Sequence, residues 1–590
     1  MVGSVIVLGA YAARSCAVKT HNAFDPTIPE PVREIDEALA EIFEGGEQFE
    51  DAVIGRLVSA ARGRVIDLRL ADELPAHIQS GACAEAMAGG ADLIIGGLLP
   101  RAVEQHRSGR PDVLVRGADQ PDGRPGYHVL LIKMHKIHER KRPTKQPRPN
   151  ASLLLSSFTA PAPEDADEVP GYGFRLSSRD TDLIQLAHYQ RMLTDLGWAA
   201  PGRPYAGVIG TDDWMADRAT DSDLITWMDL AEPLLRTFSR TGEAGWTARS
   251  ALERYDHEHA FRVDVATIAS RQGQNGSSPA PLVQPIVTDE CNRCQWWDYC
   301  RSKLPDDDVS LRIGKGALDV REIATLRAHG ISTVSDLAGV DLDQLFDWYL
   351  PEVTHRAGAE ERLRQAAHRA KLITSGVQFE RITSGPIAVP GAELEIDFDI
   401  ETTVDGCIYL WGFRSHRGDS DGSDPRHPKD GSYHPFAEFD DLDVEGERAL
   451  AVRALTWLRR QAEQTPSIRV YHYSGFELAA LRRLAETHPG EPIFAWALEF
   501  ADHHFCDLLP LVKGNFFGVN GVGLKPVATG AAGFSWRDDD AGGLNSTRWF
   551  VDAVHAESAE QRGLARARVL NYNEDDVIAT AKVRAWLRAN

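Results

Sequence analysis

Acidic residues near the C-terminus have the spacing that the ligands of a divalent-metal site need. Asp399 and Glu401 are two apart in an apolar segment whose pattern predicts a strand, so both side chains point to one face. Tyr572 and Asp576 are four apart in a predicted helix and therefore share one of its faces. Hard divalent ions prefer oxygen ligands, and such ions stabilise the attacking and leaving oxygens in phosphodiester cleavage. The pattern indicates a metal-dependent phosphodiesterase.

Two more acidic positions lie between these pairs. Glu477 follows the segment His472-Tyr473-Ser474-Gly475-Phe476 at a predicted strand-to-helix junction, and Asp507 follows another apolar segment. In this order the motifs resemble those of the DnaQ-like exonucleases of the ribonuclease H fold, in the variant that carries a tyrosine. The resemblance covers residues 385–590.

That resemblance implies a role for each motif residue. Asp399, Glu401, Glu477 and Asp576 would be ligands of Mg²⁺ or Mn²⁺, and Tyr572 would position the attacking water. The second motif of this family usually ends in Asp, whereas this chain has Glu477, which is longer but can still bind a metal. Asp507 is either structural or a substitute ligand.

Three cysteines near the middle of the chain have the spacing of metal ligands. Cys291, Cys294 and Cys300 lie within ten residues, with Trp296, Trp297 and Tyr299 between them. Cysteine thiolates bind zinc or iron–sulfur clusters, and a closed site needs a fourth ligand. The candidates for that ligand are Cys16 and Cys83.

With other residues, this cysteine set resembles that of the RecB-type nucleases whose core is held by a four-cysteine [4Fe–4S] cluster. In that pattern one cysteine lies near the N-terminus and three lie at the far end, which implies that Cys16 is the first ligand. Gln185 and Tyr189 match the QxxxY motif of these nucleases. Further positions match the acidic residues and the lysine of the nuclease site: Glu50, Asp112 and Lys133.

The N-terminal nuclease motif departs from the family pattern at one decisive position. The active motif places an acid two residues before the lysine, and this chain has Leu131 there. Position 49 is Phe where many relatives have His. Asp112 and Glu50 alone would supply few protein ligands for a magnesium ion. We therefore expect this domain to be weakened or inactive as a nuclease and to serve as a platform that binds a nucleic-acid strand.

The overall charge limits how the chain can contact nucleic acid. Its formal net charge is -23, which argues against a protein that coats nucleic acid but leaves room for a local basic surface. Residues 133–148 form such a surface, with one acid among many bases. This run is either a solvated loop or a nucleic-acid contact, and we favour the contact because it follows a candidate catalytic strand. The predicted contact residues are Lys136, Arg140, Lys141, Arg142 and Lys145.

The periodicity of the sequence predicts an α/β multidomain protein. Residues 1–304 are predicted to form a RecB-like nuclease domain and residues 385–590 a ribonuclease H-like exonuclease domain. Residues 305–384 are predicted to be helical. A helix-hairpin-helix-like segment around Gly330 is either a module that binds a phosphate backbone or an ordinary linker. Residues 30–64 are predicted to form a pair of amphipathic helices.

We interpret the chain as a metal-dependent DNA exonuclease of DNA repair or defence, acting 3′ to 5′ on single strands, with catalysis in the C-terminal domain. The alternatives are a catalytically silent nucleic-acid-binding scaffold for a helicase or nuclease partner, and an RNA exonuclease. We find no GxxxxGK[ST] phosphate loop, so any ATP-driven unwinding would need a partner helicase. The chain has no apolar run long enough to span a bilayer, and its cysteines are clustered at metal-ligand spacing. We expect both features of a cytoplasmic protein.

Overall fold

The computed structural model describes most of the chain in ten segments. They are residues 5–31, 37–71, 74–140, 153–212, 223–273, 278–313, 318–403, 406–417, 431–539 and 542–590. Three predicted contact residues of the basic run, Lys141, Arg142 and Lys145, lie outside these segments, and so does the side chain of Arg140.

The chain divides into two compact units. The first comprises Met1–Arg312, Gly316–Thr333 and Val340–Arg364, and the second comprises Ile313–Lys315, Val334–Gly339 and Gln365–Asn590. Much of the helical segment that we predicted as a separate domain therefore groups with the first unit, and the three-domain division stays a prediction.

The first part of the described chain mixes helices and short strands. The helices are α1 (Ala17–Phe24), α2 (Glu37–Ala60), α3 (Ala76–Ala88), α4 (Leu176–Asp195), α5 (Ala251–Ala269), α6 (Trp297–Ser302), α7 (Val309–Arg312), α8 (Val320–Ala328), α9 (Val334–Ala338), α10 (Leu342–Tyr349) and α11 (Ala359–Thr374). The strands are β1 (Val65–Asp67), β2 (Leu93–Ile95), β3 (Val113–Arg116), β4 (Tyr127–Ile132), β5 (His138–Arg140), β6 (Leu153–Ser157), β7 (Asp167–Val169), β8 (Tyr172–Phe174), β9 (Tyr205–Ile209), β10 (Leu224–Asp229), β11 (Leu235–Phe238) and β12 (Trp246–Arg249).

An eight-stranded mixed sheet organises the first unit, in the order β1-β2-β3-β4-β9-β10-β6-β7. Strand β4 is buried along its whole length, because helices cover both faces of the sheet. Leu131 packs on the face that also carries residues of α4, whereas Leu130 and Ile132 pack with residues of α2 on the other. The expected helix pair at residues 30–64 is a single helix over its described part, α2, which runs through Gly45 and Gly46 without a break.

The helical segment begins with a well-defined N-terminus. Asp319 and Glu322 form a capping box at the start of α8, and each side chain accepts a hydrogen bond from the other residue's backbone N–H at 2.9 Å. After α8 the chain turns at Gly330, whose φ of +81° explains why glycine stands there. The Arg321 guanidinium lies 3.5 Å from the centre of the Phe238 ring on the β11–β12 hairpin. This contact belongs to the first unit and helps to hold α8 against it.

The second unit contains the C-terminal elements. Its strands from residue 379 onward are β13 (Phe379–Arg381), β14 (Leu394–Thr402), β15 (Ile408–Arg417), β16 (Ser432–Ala437), β17 (Ile468–His472), β18 (Phe505–Asp507) and β19 (Phe516–Gly518). Its helices over the same range are α12 (Val444–Gln464), α13 (Phe476–Thr487), α14 (Pro492–His504), α15 (Leu508–Asn515), α16 (Leu524–Gly530), α17 (Gly543–His555) and α18 (Ala559–Ala589).

A five-stranded sheet in the order β16-β15-β14-β17-β18 forms the centre of this unit. Strands β14, β15 and β16 pair antiparallel in turn, and β17 and β18 add parallel on the other side of β14. Apolar and acidic residues alternate strictly along β14. The apolar residues pack towards α12 and α14, and the acids face α18. The apolar residues are Ile396, Phe398 and Ile400, and the acids are Glu395, Asp397, Asp399 and Glu401.

None of the helices in the described residues is both long enough and apolar enough to cross a membrane.

Candidate metal-dependent active site

Three carboxylates meet where the end of β14 faces α18. One oxygen each from Asp399, Glu401 and Asp576 can be chosen so that all three lie within 4.8 Å of one another. Among the residues that the structure describes, they are the one group of at least three acidic, histidine or cysteine side chains this compact. Glu401 and Asp576 are each only 7% exposed. An all-oxygen donor set of this kind fits a hard divalent ion such as Mg²⁺ or Mn²⁺.

The other two acids of β14 are neutralised by arginines. Arg584 donates from Nη2 to Asp397 Oδ2 at 2.8 Å and is also paired with Glu395. Arg588 donates from Nη1 to Glu395 Oε2 at 3.0 Å. Both arginines follow Asp576 on α18 at multiples of four residues, so one helix face carries first an acid and then two bases. The arginines compensate the first half of the acidic strand face and leave the second half without an arginine partner.

Neutral side chains fix the orientation of the three clustered carboxylates. Asn573 donates from Nδ2 to Asp399 Oδ2 at 2.8 Å, Ser546 donates from Oγ to Glu401 Oε2 at 2.8 Å, and Trp536 donates from Nε1 to Asp576 Oδ1 at 2.7 Å. Such outer hydrogen bonds orient metal-binding carboxylates. Gly412 lies opposite Asp399 on β15, and a Cβ at this position would lie only 1.7 Å from Asn573 Oδ1. Because glycine has no side chain, Asn573 has room to reach Asp399.

The carboxylates strongly perturb one another. Burial, and then the charge of Asp576, raises the pKa of Glu401 to about 8. Burial raises the pKa of Asp576 to about 6, although the Trp536 hydrogen bond opposes the shift. Burial and the neighbouring acids raise the pKa of Asp399 well above its usual range. The ion-free cluster therefore holds protons at neutral pH, and a cation would replace them.

Tyr572 and Lys525 complete the wall of the site. Tyr572 is buried one helical turn before Asp576, and a hydrogen bond links the two side chains. Lys525 on α16 interacts with both Asp576 and Glu401, and its ammonium lies 5.1 Å from the centre of the Tyr572 ring. A lysine side chain therefore lies beside the three clustered carboxyl groups.

Glu477 lies near this cluster but is held differently. Its charge contributes to the raised pKa of Asp399, yet it does not belong to the compact group of three. His472 is fully buried, and its Nδ1 lies 2.6 Å from the Ser474 carbonyl oxygen and 3.2 Å from Glu477 Oε2. Glu477 is in turn only 3% exposed, so this pairing takes place inside the protein.

Asp507 stabilises the turn that precedes Glu477. Its Oδ1 accepts hydrogen bonds from the backbone N–H groups of Ser474 and Leu509, both at 2.9 Å. The second bond caps the start of α15. Ser474 has a φ of +117°, a conformation that costs energy outside glycine. These bonds favour the structural alternative for Asp507.

The predicted acidic residues of the first unit also come together. Burial and the neighbouring Asp112 raise the pKa of Glu50 to about 7, and Lys133 interacts with both acids. Asp112 Oδ2 accepts a hydrogen bond from the backbone N–H of Ile132 at 2.7 Å. Leu131 is fully buried in the apolar core, so the missing acid is replaced by a packed core residue.

The QxxxY pair lies on α4 beside this acidic site. Tyr189 is buried and donates from its hydroxyl to the Arg110 carbonyl at 2.8 Å. Burial, and then the charge of Asp112, raises the pKa of Tyr189. Gln185 is also buried and accepts a hydrogen bond from Arg14. Lys136 of the basic run is exposed.

The four predicted cluster ligands line one cavity with a mainly apolar wall. They are Cys16, Cys291, Cys294 and Cys300, whereas Cys83 is buried elsewhere in the core. Two of these sulfurs accept hydrogen bonds from N–H donors: Asn22 Nδ2 lies 3.6 Å from Cys300 Sγ, and the Thr288 backbone nitrogen lies 3.4 Å from Cys291 Sγ. Four thiol groups converging on one cavity fit a bound metal group.

Sequence reasoning missed several residues of the C-terminal site. They are Lys525, Trp536, Ser546 and Asn573. Asn573 could have been suspected because it stands next to Tyr572 in the final motif. The other three lie in segments without a recognisable motif, and only the fold brings them to the carboxylates.

Comparison with known proteins identifies the class of the second unit. A family model of the RNase H superfamily matches residues 396–588. No curated protein and no solved structure matches the chain. The expected ribonuclease H-like domain at the C-terminus is therefore confirmed. A domain of this superfamily indicates a nuclease or another phosphodiester hydrolase, with nucleic acid as its substrate.

Proposed function

We propose that the protein is a metal-dependent exonuclease whose catalytic centre is the cluster of Asp399, Glu401 and Asp576. One observation carries the proposal: on a ribonuclease H-like domain, the acids at one end of β14 are neutralised by arginines, while those at the other end form a compact buried cluster. Uncompensated buried charges are costly unless a cation joins them. We also propose that the protein degrades single-stranded DNA in the 3′ to 5′ direction, in DNA repair or in defence.

The side chains of the cluster have distinct proposed roles. Asp399, Glu401 and Asp576 hold Mg²⁺ or Mn²⁺, which when bound stabilises negative charge on the phosphate. Tyr572 orients a water molecule that attacks phosphorus. The bond from phosphorus to the 3′ oxygen of the preceding nucleotide breaks, and that oxygen takes up a proton. Glu477, held by His472, extends the acidic wall towards the reacting phosphate.

The first unit is proposed to be a strand-binding domain stabilised by a [4Fe–4S] cluster, with weakened or absent nuclease activity. The cavity lined by Cys16, Cys291, Cys294 and Cys300 supports the cluster. The buried Leu131 supports the loss of activity, because an acid at that position would have to enter an apolar core. The basic run at residues 133–148, which includes Lys136, is the proposed contact with the strand.

The proposal is tested with purified protein, Mn²⁺ and end-labelled DNA and RNA, each single- and double-stranded. Stepwise shortening of single-stranded DNA from its 3′ end is the expected result. Shortening of RNA alone would identify an RNA exonuclease. No cleavage of any substrate would favour the second candidate, a catalytically silent scaffold for a partner helicase or nuclease. Two observations support this candidate: Leu131 is buried where an active site would have an acid, and Glu477 lies beside His472.

A further inference from the structure

A tyrosine of the outer strand β16 is linked to the carboxylate cluster through Asn573. Tyr433 Oη lies 2.8 Å from Asn573 Oδ1, and because an amide oxygen carries no hydrogen, the hydroxyl is the donor. The same amide donates from Nδ2 to Asp399 Oδ2, also at 2.8 Å. Asn573 is 0% exposed, so bulk water does not compete for either end of its amide. The three side chains form a hydrogen-bond chain that runs from Tyr433 through Asn573 to Asp399.

The strand register brings Tyr433 to this amide. Tyr433 is paired with Arg414 of β15, two residues beyond Gly412, and Gly412 is paired with Asp399 of β14. Paired residues, and residues two apart on a strand, point to the same face of a sheet, so Tyr433 lies on the face that carries Asp399. Gly412 lacks a side chain that would fill the space between them. The amide of Asn573 and the hydroxyl of Tyr433 meet in that space.

The orientation of the Asn573 amide matters to two of the clustered acids. A carboxylate accepts hydrogen bonds, so it attracts the amide nitrogen and repels the amide oxygen. Burial raises the pKa of Glu401, and a hydrogen bond from Asn573 opposes this shift, so the amide serves Glu401 as well as Asp399. The Tyr433 hydroxyl occupies the amide oxygen and leaves the nitrogen to face the acids. Without that hydroxyl the buried oxygen would lose a donor, which favours a rearranged amide.

The Tyr433 hydroxyl keeps the proton that it donates. Burial, and then the charge of Glu574, raises the pKa of Tyr433 well above its usual range. Asp399 and Glu401 contribute to the same shift, so the hydroxyl lies within the electrostatic field of the cluster. Tyr433 therefore stays a donor at every pH at which the protein would act.

We propose that Tyr433 is a positioning residue of the candidate metal site. It fixes the Asn573 amide so that the amide nitrogen holds the Asp399 and Glu401 carboxylates in the arrangement that binds a divalent ion. This inference rests on the proposed function. Tyr433 acts through Asn573 alone and contacts neither the ion nor the substrate. Removing such outer partners of metal-binding groups typically lowers ion affinity or activity by roughly 10- to 100-fold.

The test is a double-mutant cycle measured on ion binding. Mn²⁺ binding to the full chain is followed by electron paramagnetic resonance, and the ions of this site are those lost in Asp399→Asn. Tyr433→Phe removes only the hydroxyl and should weaken Mn²⁺ binding about tenfold, and Asn573→Ala should weaken it by roughly 10- to 100-fold. Adding Tyr433→Phe to Asn573→Ala should change the affinity by less than about twofold, because the hydroxyl has already lost its partner.

Turnover gives a second measurement of the same effect. At saturating Mn²⁺ the kcat of Tyr433→Phe should fall by about tenfold with little change in KM, because the substrate does not touch the hydroxyl. Tyr205→Phe, at a half-buried tyrosine of the first unit, is the control and should change neither ion affinity nor kcat.

Wild-type ion affinity in Tyr433→Phe would overturn the inference, and so would an equal loss of affinity in the presence and absence of Asn573. If Asp399→Asn loses no bound Mn²⁺, the metal site and the inference fail together. If the wild-type chain binds Mn²⁺ at this site but cleaves no substrate, the proposed function fails, and the ion-binding cycle still decides the role of Tyr433.

Discussion

Arg584 on the last helix donates two hydrogen bonds to the fully buried Asp397 of β14, from Nη2 at 2.8 Å and from Nε at 3.2 Å. Asp397 and Asp399 are successive acids on the same strand face, yet one is bound by an arginine and the other is not neutralised in this way. The helix face that supplies Arg584 supplies Asp576 two turns earlier. This relationship separates a structural half of the acidic face from a half that can bind a cation.

Replacing Arg584 should destabilise the second unit more than replacing Arg588. Arg584→Met leaves buried Asp397 without its main partner and removes one partner of Glu395, which should lower the free energy of unfolding by about 3–5 kcal/mol. The Arg588 side chain is 33% exposed, so Arg588→Met should cost clearly less. Denaturant unfolding followed by tryptophan fluorescence measures both. Equal midpoints for the two variants would contradict the structural role of the Arg584 pairing.

The two acidic sites should differ in their importance for cleavage. Asp399→Ala removes a carboxylate of the cluster and should reduce kcat by at least ~100-fold, because an ion and its stabilisation of the phosphate are lost. Asp112→Ala should have a small effect, because the adjoining acid position is Leu131. Gel assays on end-labelled single-stranded DNA compare the two variants. An inactive Asp112→Ala beside an active Asp399→Ala would reverse the assignment.

Ion binding should release protons in a pH-dependent way. The folded chain raises the pKa of Glu401 to about 8 and that of Asp576 to about 6, both above their usual values near 4. A bound ion should therefore displace protons at pH 7, and it should displace fewer at pH 9.5. Calorimetry of Mn²⁺ binding in buffers of different ionisation enthalpy measures the number released. Asp112→Asn should keep the release at pH 7, and heats independent of the buffer there would refute the prediction.

The same shifts predict how the stability of the ion-free chain depends on pH. For a carboxyl whose pKa is raised on folding, the folded state binds more protons than the unfolded state between the two pKa values. The stability that Glu401 and Asp576 contribute is fully present below about pH 4 and is lost as the pH rises through 6 to 8. Added Mg²⁺ should therefore raise the unfolding temperature more at pH 8 than at pH 5.5. Equal stabilisation at both pH values would be inconsistent with proton displacement by the ion.

The cysteine cavity should yield an iron–sulfur protein. Protein purified anaerobically should be brown and contain iron and sulfide, and Cys294→Ser should be colourless and less stable, because one of the four thiolates is lost. Cys407→Ser, at a half-buried cysteine of the second unit, serves as the control and should stay brown. Stoichiometric zinc without iron or sulfide in the metal analysis would exclude the cluster.

The basic run should carry most of the salt-dependent binding. Each phosphate contact on a single strand contributes a salt slope of roughly 0.7. Combined alanine substitution of Lys136, Arg140, Lys141, Arg142 and Lys145 should lower the affinity for single-stranded DNA and flatten that slope together. Fluorescence anisotropy at several salt concentrations measures both, with substitutions near Gly330 expected to weaken binding at nearly constant slope. Unchanged affinity and slope would assign the run to a solvated surface.

The sequence by itself determined the residues of the C-terminal cluster. Alternation placed Asp399 and Glu401 on one strand face, and helical spacing placed Tyr572 beside Asp576, because both periodicities are local properties of the backbone. The order of these motifs was also enough to predict the ribonuclease H-like domain that the family model identifies at residues 396–588. The cysteine spacing grouped Cys291, Cys294 and Cys300, and the resemblance to RecB-type nucleases added Cys16. These four thiols line one cavity.

The tertiary structure alone decided which acids of β14 are available for a cation. The sequence of this strand has four alternating acids and gives no reason to separate them. Arg584 and Arg588 neutralise Glu395 and Asp397, whereas Asp399 and Glu401 face Asp576 on the same helix. Lys525, Trp536 and Ser546 reach the site from segments without a motif. Contacts between residues so distant in the chain depend on how helices pack on the sheet, which local periodicity does not encode.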